Sequence, residues 1–483
     1  GHIGFPSSAD LERNPDLDPN VVVGKLGVER EYDAFLQGTP GLVRYTINAQ
    51  GDILDQVDAS DPLQGDTLWL TIDSVTQQVV EKILVDVVVL AQDRKDENEP
   101  ADARTLPTER ATALVMRVDT GEIIAMASYP SFEPQAFVGG IGEDEYATLS
   151  EAFAFNNLAI QGLKPPASAF KAVTYITAMM ENISPRDTTS VEQTIECSAQ
   201  LKADFVDDSQ LVYQNWTRAS DGLQNIHDAF RRSCNIYFWE LALSIWRDYK
   251  GTDNEDILQD WAAVLGFGRR TQVDLPFETA GILPDRELFD EWQVTQPWRV
   301  REEGWLGGDL MNLAVGQGSI LVTPIQMATA YAAMVNGGTV YQPQVVDKIV
   351  DANGEIVRDF GPRPLRTPEI DPAVVTSLLA DMGSVVRTSG TAAAAFTGLD
   401  GLELQMGGKT GTAQGFTDAE GLRHAATAWF AGVAPISNPE FVVVVMVDEG
   451  GSGGAVAAPA AARILTHLLG GSPAPLVAGE ETD

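Results

Sequence analysis

The chain reads as an α+β protein, a central antiparallel sheet between helical regions with a small module ahead of it. Three observations predict this. Ala113 to Val118 and Ile123 to Ala127 are apolar runs joined by Asp119-Thr-Gly121, a strong hairpin signal. Ala426 to Pro435 and Phe441 to Val447 read as further strands near the other end of the chain. Helix-like stretches fill the middle, and strands at both ends of a sequence with helices between them imply one sheet closed by distant segments.

The other elements follow in order. Residues 1 to about 23 are Pro- and Asp-rich and irregular, and Gly24 to Leu36 is compatible with a short helix ending before Gly38, Pro40 and Gly41. Leu42 to Ile47 and Asp52 to Val57 flank the Asn48-Ala-Gln-Gly51 turn as two hairpin strands would. Asp66 to Ile72 has strand character, and Asp73 and Ser74 can cap a helix running towards Leu90. The polar segment Asp93 to Glu109, with two prolines, reads as a loop. Ser168 to Met180 is the clearest helix; Leu223 to Tyr249, Pro324 to Asn336, Ala373 to Arg387 and Ala458 to Leu469 are further ones. Return of the last strands to the first hairpin brings the region of Lys409 towards Ser168.

Composition excludes several functions. At 483 residues the chain exceeds one ordinary core, so a small domain plus a large one is the natural division. Lys and Arg total 32 against 69 for Asp and Glu, a formal charge of -37, and no basic run stands out; nucleic acid is excluded as a partner, since backbone binding needs a basic stripe. An anionic substrate would be repelled at long range and needs a local cationic site, for which Lys409 is the centre. Acidic concentrations such as Asp96 to Glu99 and Glu480 to Asp483 lack the alternating oxygen cage of a calcium loop and read as solvent-facing. Two cysteines, Cys197 and Cys234, and four histidines, His2, His227, His424 and His467, argue against a zinc site and a disulfide-dense fold. One disulfide or two buried thiols both fit this count. No stretch approaches eighteen apolar residues, and Val442 to Val447 is a short buried strand. The first residues, Gly-His-Ile-Gly, show neither a signal peptide nor a start methionine.

Three polar clusters carry the chemistry. Pro165-Pro166-Ala167 stops any preceding helix, so Ser168 sits where a new one begins, its hydroxyl at the positive helix end. Lys171, three residues on, comes back alongside it on the same face. A serine needs a base to attack, and a lysine serves only where burial and neighbouring cations keep it neutral. An isolated S-x-x-K is ordinarily a cap and a solvated lysine; the apolar Ala172, Val173, Ile176 and Met179 make this helix a buried one, where an amine without a partner is costly. In Ser233-Cys-Asn235 a turn would direct the first and third side chains into one cleft: Ser233 to pass a proton to a leaving amine, Asn235 to hold Lys171 and a substrate amide. Cys234 would pack behind. Gly407-Gly408-Lys409-Thr410-Gly411-Thr412 invites a phosphate-loop reading, but the first required glycine is Glu403. An edge strand lining a groove fits better: Gly411 for close backbone approach, Lys409 for a terminal carboxylate, Thr410 and Thr412 for hydrogen bonds.

With these clusters the sequence resembles the class B penicillin-binding proteins, the peptidoglycan transpeptidase family, from about residue 22 almost to the C-terminus. Shared segments include Gly27-Val-Glu-Arg-Glu-Tyr32, Gly38-Thr-Pro-Gly41, Leu70-Thr-Ile-Asp73, Gly121-Glu-Ile-Ile-Ala-Met-Ala127, Tyr129-Pro-Ser-Phe132, Gly266-Phe-Gly268, Asp274-Leu-Pro276, Gly316-Gln-Gly318 and Thr323-Pro324. The resemblance implies a penicillin-binding serine acyltransferase fold with a five-stranded sheet, arranged as a truncated non-catalytic, dimerisation- or pedestal-like module over residues 1–60, a transpeptidase domain over 61–475 and a disordered acidic tail over 476–483. It implies Ser168 as nucleophile, Lys171 as its base, Ser233 and Asn235 as second element and Lys409 to Thr412 as substrate-binding strand, with the backbone N–H groups of Ser168 and Thr412 as oxyanion hole. It also implies cross-linking of peptidoglycan stem peptides through an acyl-Ser168 ester and covalent capture of beta-lactam antibiotics, without metal or organic cofactor. A glycosyltransferase and other cell-wall synthesis proteins are the implied partners, in cell shape or cell division. The implied place is extracytoplasmic, on a single-pass membrane anchor missing from the chain as given.

The chain departs from the family where Pro-Gly-Ser is Pro166-Ala167-Ser168, where Ala169 replaces the common Thr, and where Asn157-Leu-Ala-Ile160 replaces Asn-Arg-Ala. An alanine fits at 167 only if its backbone avoids positive φ. A D,D-carboxypeptidase or serine beta-lactamase would share the first half-reaction and deliver water to the ester; a cell-wall scaffold or beta-lactam sensor would stop at the acyl-enzyme.

Overall fold

The computed structural model describes residues 1–98, 107–203, 211–387, 389–417 and 422–481. Its centre is a five-stranded antiparallel sheet of β1 (Arg110–Arg117), β2 (Ile123–Tyr129), β3 (Gly407–Ala413), β4 (Thr427–Ala434) and β5 (Phe441–Asp448), in spatial order β3-β4-β5-β1-β2. The expected hairpin is present, with Gly121 at φ +78 in its turn. β5 closes the sheet by pairing the two ends of the sequence, Phe441 opposite Arg117 and Asp448 opposite Arg110. Both neighbours and both faces cover it, so Val442 to Val447 is wholly buried, as a continuous apolar run requires.

Helix α1 (Ser74–Asn98) packs on β2 and against the C-terminal helix α7 (Ala458–Leu468), which also lies on β4 and β5. α5 (Pro324–Val335), entered through a Thr323/Gln326 capping box, packs on β1 and β5. Between these layers one apolar core runs from Val80 in α1 through the sheet to Tyr331 in α5. Helices α2 (Lys171–Glu181), α3 (Ile226–Arg232), α4 (Asn235–Tyr249) and α6 (Pro372–Val385) complete the side on which the three polar clusters meet.

Four expectations change. Residues 93–98, read as loop, continue α1, because Arg and Lys are good helix formers and the first breaker is Pro100; 99–106 lie outside the described residues. Gly24 to Leu36 is a strand, Val23–Leu26, followed by two short helices, Gly27–Glu31 and Asp33–Leu36, as Gly27 takes φ +62 at the junction. The helix expected over Leu223 to Tyr249 is interrupted at Ser233 and Cys234. The tail, expected to be disordered from 476, is held as far as the description reaches: the Gly479 N–H donates to the Ala455 carbonyl at 3.1 Å and Glu481 pairs with Arg94 at 3.2 Å.

Residues 42–60 form a separate two-stranded ribbon, Leu42–Ile47 with Ile53–Ser60, turned by Asn48, whose Oδ1 accepts from the N–H groups of Gln50 and Asp52. The N-terminal part is fixed to the main body by Tyr32, whose hydroxyl donates to Asp274 at 2.9 Å, while Asp274 also accepts from the N–H groups of Val345 and Val346.

Candidate active site

Ser168 lies in a single 3-10 turn, Ala167–Phe170, that runs directly into α2, so the expected helix start is a tight turn stacked on an α-helix. The turn is wholly buried, with Ser168 8% exposed and Lys171 0%. Ala167 has φ +50, which corrects the expectation that alanine there would avoid the left-handed region. Its N–H donates to the Gly316 carbonyl at 2.8 Å, and Gly316, itself at φ +71, presses on it so closely that a Cβ there would sit 2.1 Å from the Ala167 oxygen. Surrounding structure thus holds a strained residue next to Ser168, at a cost of about 1–2 kcal/mol.

Ser233 ends α3 in the left-handed conformation, φ 57 and ψ 36, and α4 begins two residues later. That reversal presents both its hydroxyl and its carbonyl to Lys171, whose Nζ donates to Ser233 O at 2.8 Å, to Ser233 Oγ at 3.1 Å and to Asn235 Oδ1 at 2.6 Å. Lys409 Nζ donates to the same Ser233 Oγ at 2.8 Å. Two fully buried amines from segments far apart in sequence therefore meet at one hydroxyl, each near an aromatic face, Lys171 over Phe238 and Lys409 over Phe230.

Cys234, between the two polar residues, is bonded to Cys197 with a Cα separation of 6.2 Å, which decides between the one bridge and the two thiols that the sequence allowed. Asn215 reinforces the link: its Oδ1 accepts the Asn235 N–H at 3.2 Å, and its amide nitrogen lies 3.4 Å from the Cys197 sulfur. The segment carrying Cys197 and Asn215 is thereby fastened to the start of α4.

β3 is an edge strand, as its sequence suggested, and along it side chains alternate. Lys409 points to Ser233, whereas the Thr410 hydroxyl is buried against Thr391 at 2.7 Å and Thr412 Oγ1 accepts from the Gly453 N–H at 2.9 Å. A Cβ on Gly411 would meet Pro166 O at 2.8 Å and Ala169 N at 3.1 Å, so the glycine permits contact between the strand and the Ser168 turn rather than room for a peptide. Gln317 Nε2 reaches the Thr412 carbonyl at 3.3 Å from the Gly316-Gln-Gly318 loop. Every residue singled out by the sequence thus falls in one region. Thr391 and Asn215 were missed, because nothing local in their sequences marks a partner far along the chain, and Cys197 was named only as one half of a bridge that two buried thiols would also have fitted.

The family profile described as "Penicillin binding protein transpeptidase domain" matches residues 111–466, and one described as "Penicillin-binding Protein dimerisation domain" matches residues 1–70. The chain belongs to the penicillin-binding protein transpeptidase family, and with a dimerisation module ahead of a serine-type D,D-transpeptidase domain it is of class B. It is 30% identical over 470 residues to the peptidoglycan D,D-transpeptidase MrdA of Acinetobacter baumannii, covering 95% of this chain and 62% of that protein. Among solved structures it is similar to a chain of a peptidoglycan synthase complex (TM-score 0.77, 27% identity, 97% of this chain and 74% of that one) and to Pseudomonas aeruginosa PBP2 (TM-score 0.70, 26% identity, 97% and 88%). The chain spans about two thirds of the length of the curated relatives it matches.

Proposed function

We propose that the protein is a peptidoglycan D,D-transpeptidase that cross-links stem peptides through an acyl-Ser168 intermediate and is acylated at the same serine by beta-lactams. The observation that carries this reading is the Ser233 hydroxyl shared by Lys171 and Lys409. Two ammonium groups at one buried oxygen repel strongly, which favours one being neutral when attack begins. Lys171, on the nucleophile's own helix, is assigned as that base; Lys409 keeps its charge and draws the carboxylate of the donor's terminal D-alanine. Ser168 attacks the penultimate carbonyl, the oxyanion is held by the backbone N–H groups of Ser168 and Thr412, and Ser233 relays the proton to departing D-alanine. Asn235 orients Lys171 and the donor amide, and the donor lies along the edge of β3 at Thr412, with buried Thr410 and Gly411 holding that strand against Thr391 and the Ser168 turn. An amine of a second stem peptide then takes the acyl group and frees Ser168.

The place of action is extracytoplasmic, supported by the Cys197–Cys234 bridge, since disulfides persist in oxidising compartments. No helix among the described residues is long and apolar enough to cross a membrane. The likeness to a chain of a synthase complex that couples polymerisation with crosslinking supports work beside a glycosyltransferase and other cell-wall synthesis proteins. The test is mass spectrometry after penicillin exposure, then turnover with a D-Ala-D-Ala donor and an amine acceptor. One acyl adduct on the Ser168 peptide, absent in S168A, with cross-linked product exceeding hydrolysis, is the expected result. An adduct on another serine in S168A refutes the site, and hydrolysis without cross-linking refutes the transfer.

A further inference from the structure

The two helices that carry Lys171 and Ser233 converge on one buried carboxylate, and the helix that bears this carboxylate packs on the strand of Lys409. Tyr175 lies one turn beyond Lys171 on α2, and its hydroxyl donates to Asp381 Oδ2 at 2.8 Å with Ser377 Oγ 2.9 Å away. His227 of α3, in the helix that ends at Ser233, places Nδ1 2.6 Å from the same oxygen. Its other nitrogen lies 3.2 Å from Glu192, so both ring nitrogens face carboxylates and the ring is an imidazolium; the Asp381 hydrogen bond raises its pKa to about 9. Asp381 belongs to α6, and two residues on, the backbone of α6 touches β3: a Cβ on Gly407 would lie 2.9 Å from Gly383 N. Lys409 follows two residues later on that strand.

We infer that Asp381, through Tyr175 and His227, is a positioning residue that sets how the Lys171, Ser233 and Lys409 groups meet, and with them the rate of acylation. The physical ground is economy of motion. α2, α3 and α6 are each rigid over a turn or two, so a hydrogen bond at Tyr175 bears on Lys171 one turn away, and one at His227, at the start of α3, bears on Ser233 at the end of the same short helix. One oxygen accepting from two helices leaves neither free to slide past the other, and the backbone contact at Gly407 carries the same reference point to β3. Tyr175 is 0% exposed and Asp381 8%, so water offers no substitute for the bond between them, whereas the His227 ring is part-exposed.

The inference rests on the proposed roles of Lys171, Ser233 and Lys409, and the experiment separates the two. A chromogenic beta-lactam is used to resolve the acylation rate constant from the prior binding constant, alongside thermal melting, for wild type, Y175F, D381N, S377A and T174V. Thr174 is the control: on the same helix its buried hydroxyl donates to the Ala314 carbonyl at 2.8 Å, outside the cluster. Y175F and D381N are expected to bind the lactam within twofold of wild type but acylate about tenfold more slowly. T174V, destabilised to a similar degree, and S377A should acylate within twofold of wild type. Unchanged acylation in Y175F overturns the inference, as does an equal loss in T174V, since either makes the cluster mere packing. If D381N fails to fold, Y175F against T174V decides alone. A wild type that is never acylated would instead overturn the proposed function.

Discussion

From Ala167 to Ala178 every residue is buried, whereas in the ribbon Leu42–Ile47/Ile53–Ser60 every residue is exposed. Both segments carry apolar and polar side chains, and the difference lies in what each polar group is permitted to do. In the Ser168 segment Lys171, Thr174 and Tyr175 are each tied to a fixed partner, because an unsatisfied polar group there costs about 1–3 kcal/mol. In the ribbon Tyr45, Ile47, Ile53 and Val57 are each at least half exposed, and order comes from the backbone ladder and the Asn48 turn. Burial makes position strict at the site, and exposure leaves it loose.

The largest test of that contrast is the bridge between Cys197 and Cys234. C197S/C234S should lose about 2–4 kcal/mol, read as a lower denaturant midpoint, and a dithiol should produce a similar shift in wild type and none in the double variant. Equal midpoints would mean that packing and the Asn215 contacts alone hold the Ser233 turn. Next comes pH. His227 is raised to about 9 in the fold from an ordinary 6.5, so its stabilisation is complete below 6.5 and is lost as pH rises through 9. Melting of H227Q should therefore fall furthest below wild type near pH 6, by about 1–2 kcal/mol once its part-exposed ring is discounted, and the gap should narrow towards pH 9. A gap that widens with pH would reverse the assignment of charge. Smaller again, A167G should stabilise the protein by about 1 kcal/mol by relieving φ +50, seen as a raised melting temperature. A lowered one would show that the methyl group contributes more to packing than the strain costs. At the bottom of the scale, I47T or V57T in the ribbon should stay within about 0.5 kcal/mol of wild type with unchanged acylation.

Much of the site was legible before the fold. Ser168, Lys171, Ser233, Asn235 and Lys409 stood out because each requirement is local: a hydroxyl at a helix start, an amine three residues on, a polar pair around a turn. The hairpin at Gly121 and the capping of α5 were legible for the same reason. What stayed hidden depends on contacts between distant residues. Nothing near Thr391 announces Thr410, the count of two cysteines leaves bridge and free thiols both open, and Asp381 reads as one more acid in a chain with 69 Asp and Glu residues. The positive φ of Ala167 was also hidden, since it is imposed by Gly316 and propensity alone predicts the opposite.

Closure of the sheet by its last strands has a consequence for how the molecule comes into being. β3, β4 and β5 are made late, and β5 is the strand that joins them to β1. A growing chain therefore exposes Ser168, Lys171 and Ser233 long before Lys409 exists to complete them. Pairings of such long sequence separation form slowly, after their loop-closure entropy has been met. The set of polar clusters is thus complete only when the last strands are made, and reactivity with a beta-lactam should arise in one late step, together with the ladder between β5 and β1.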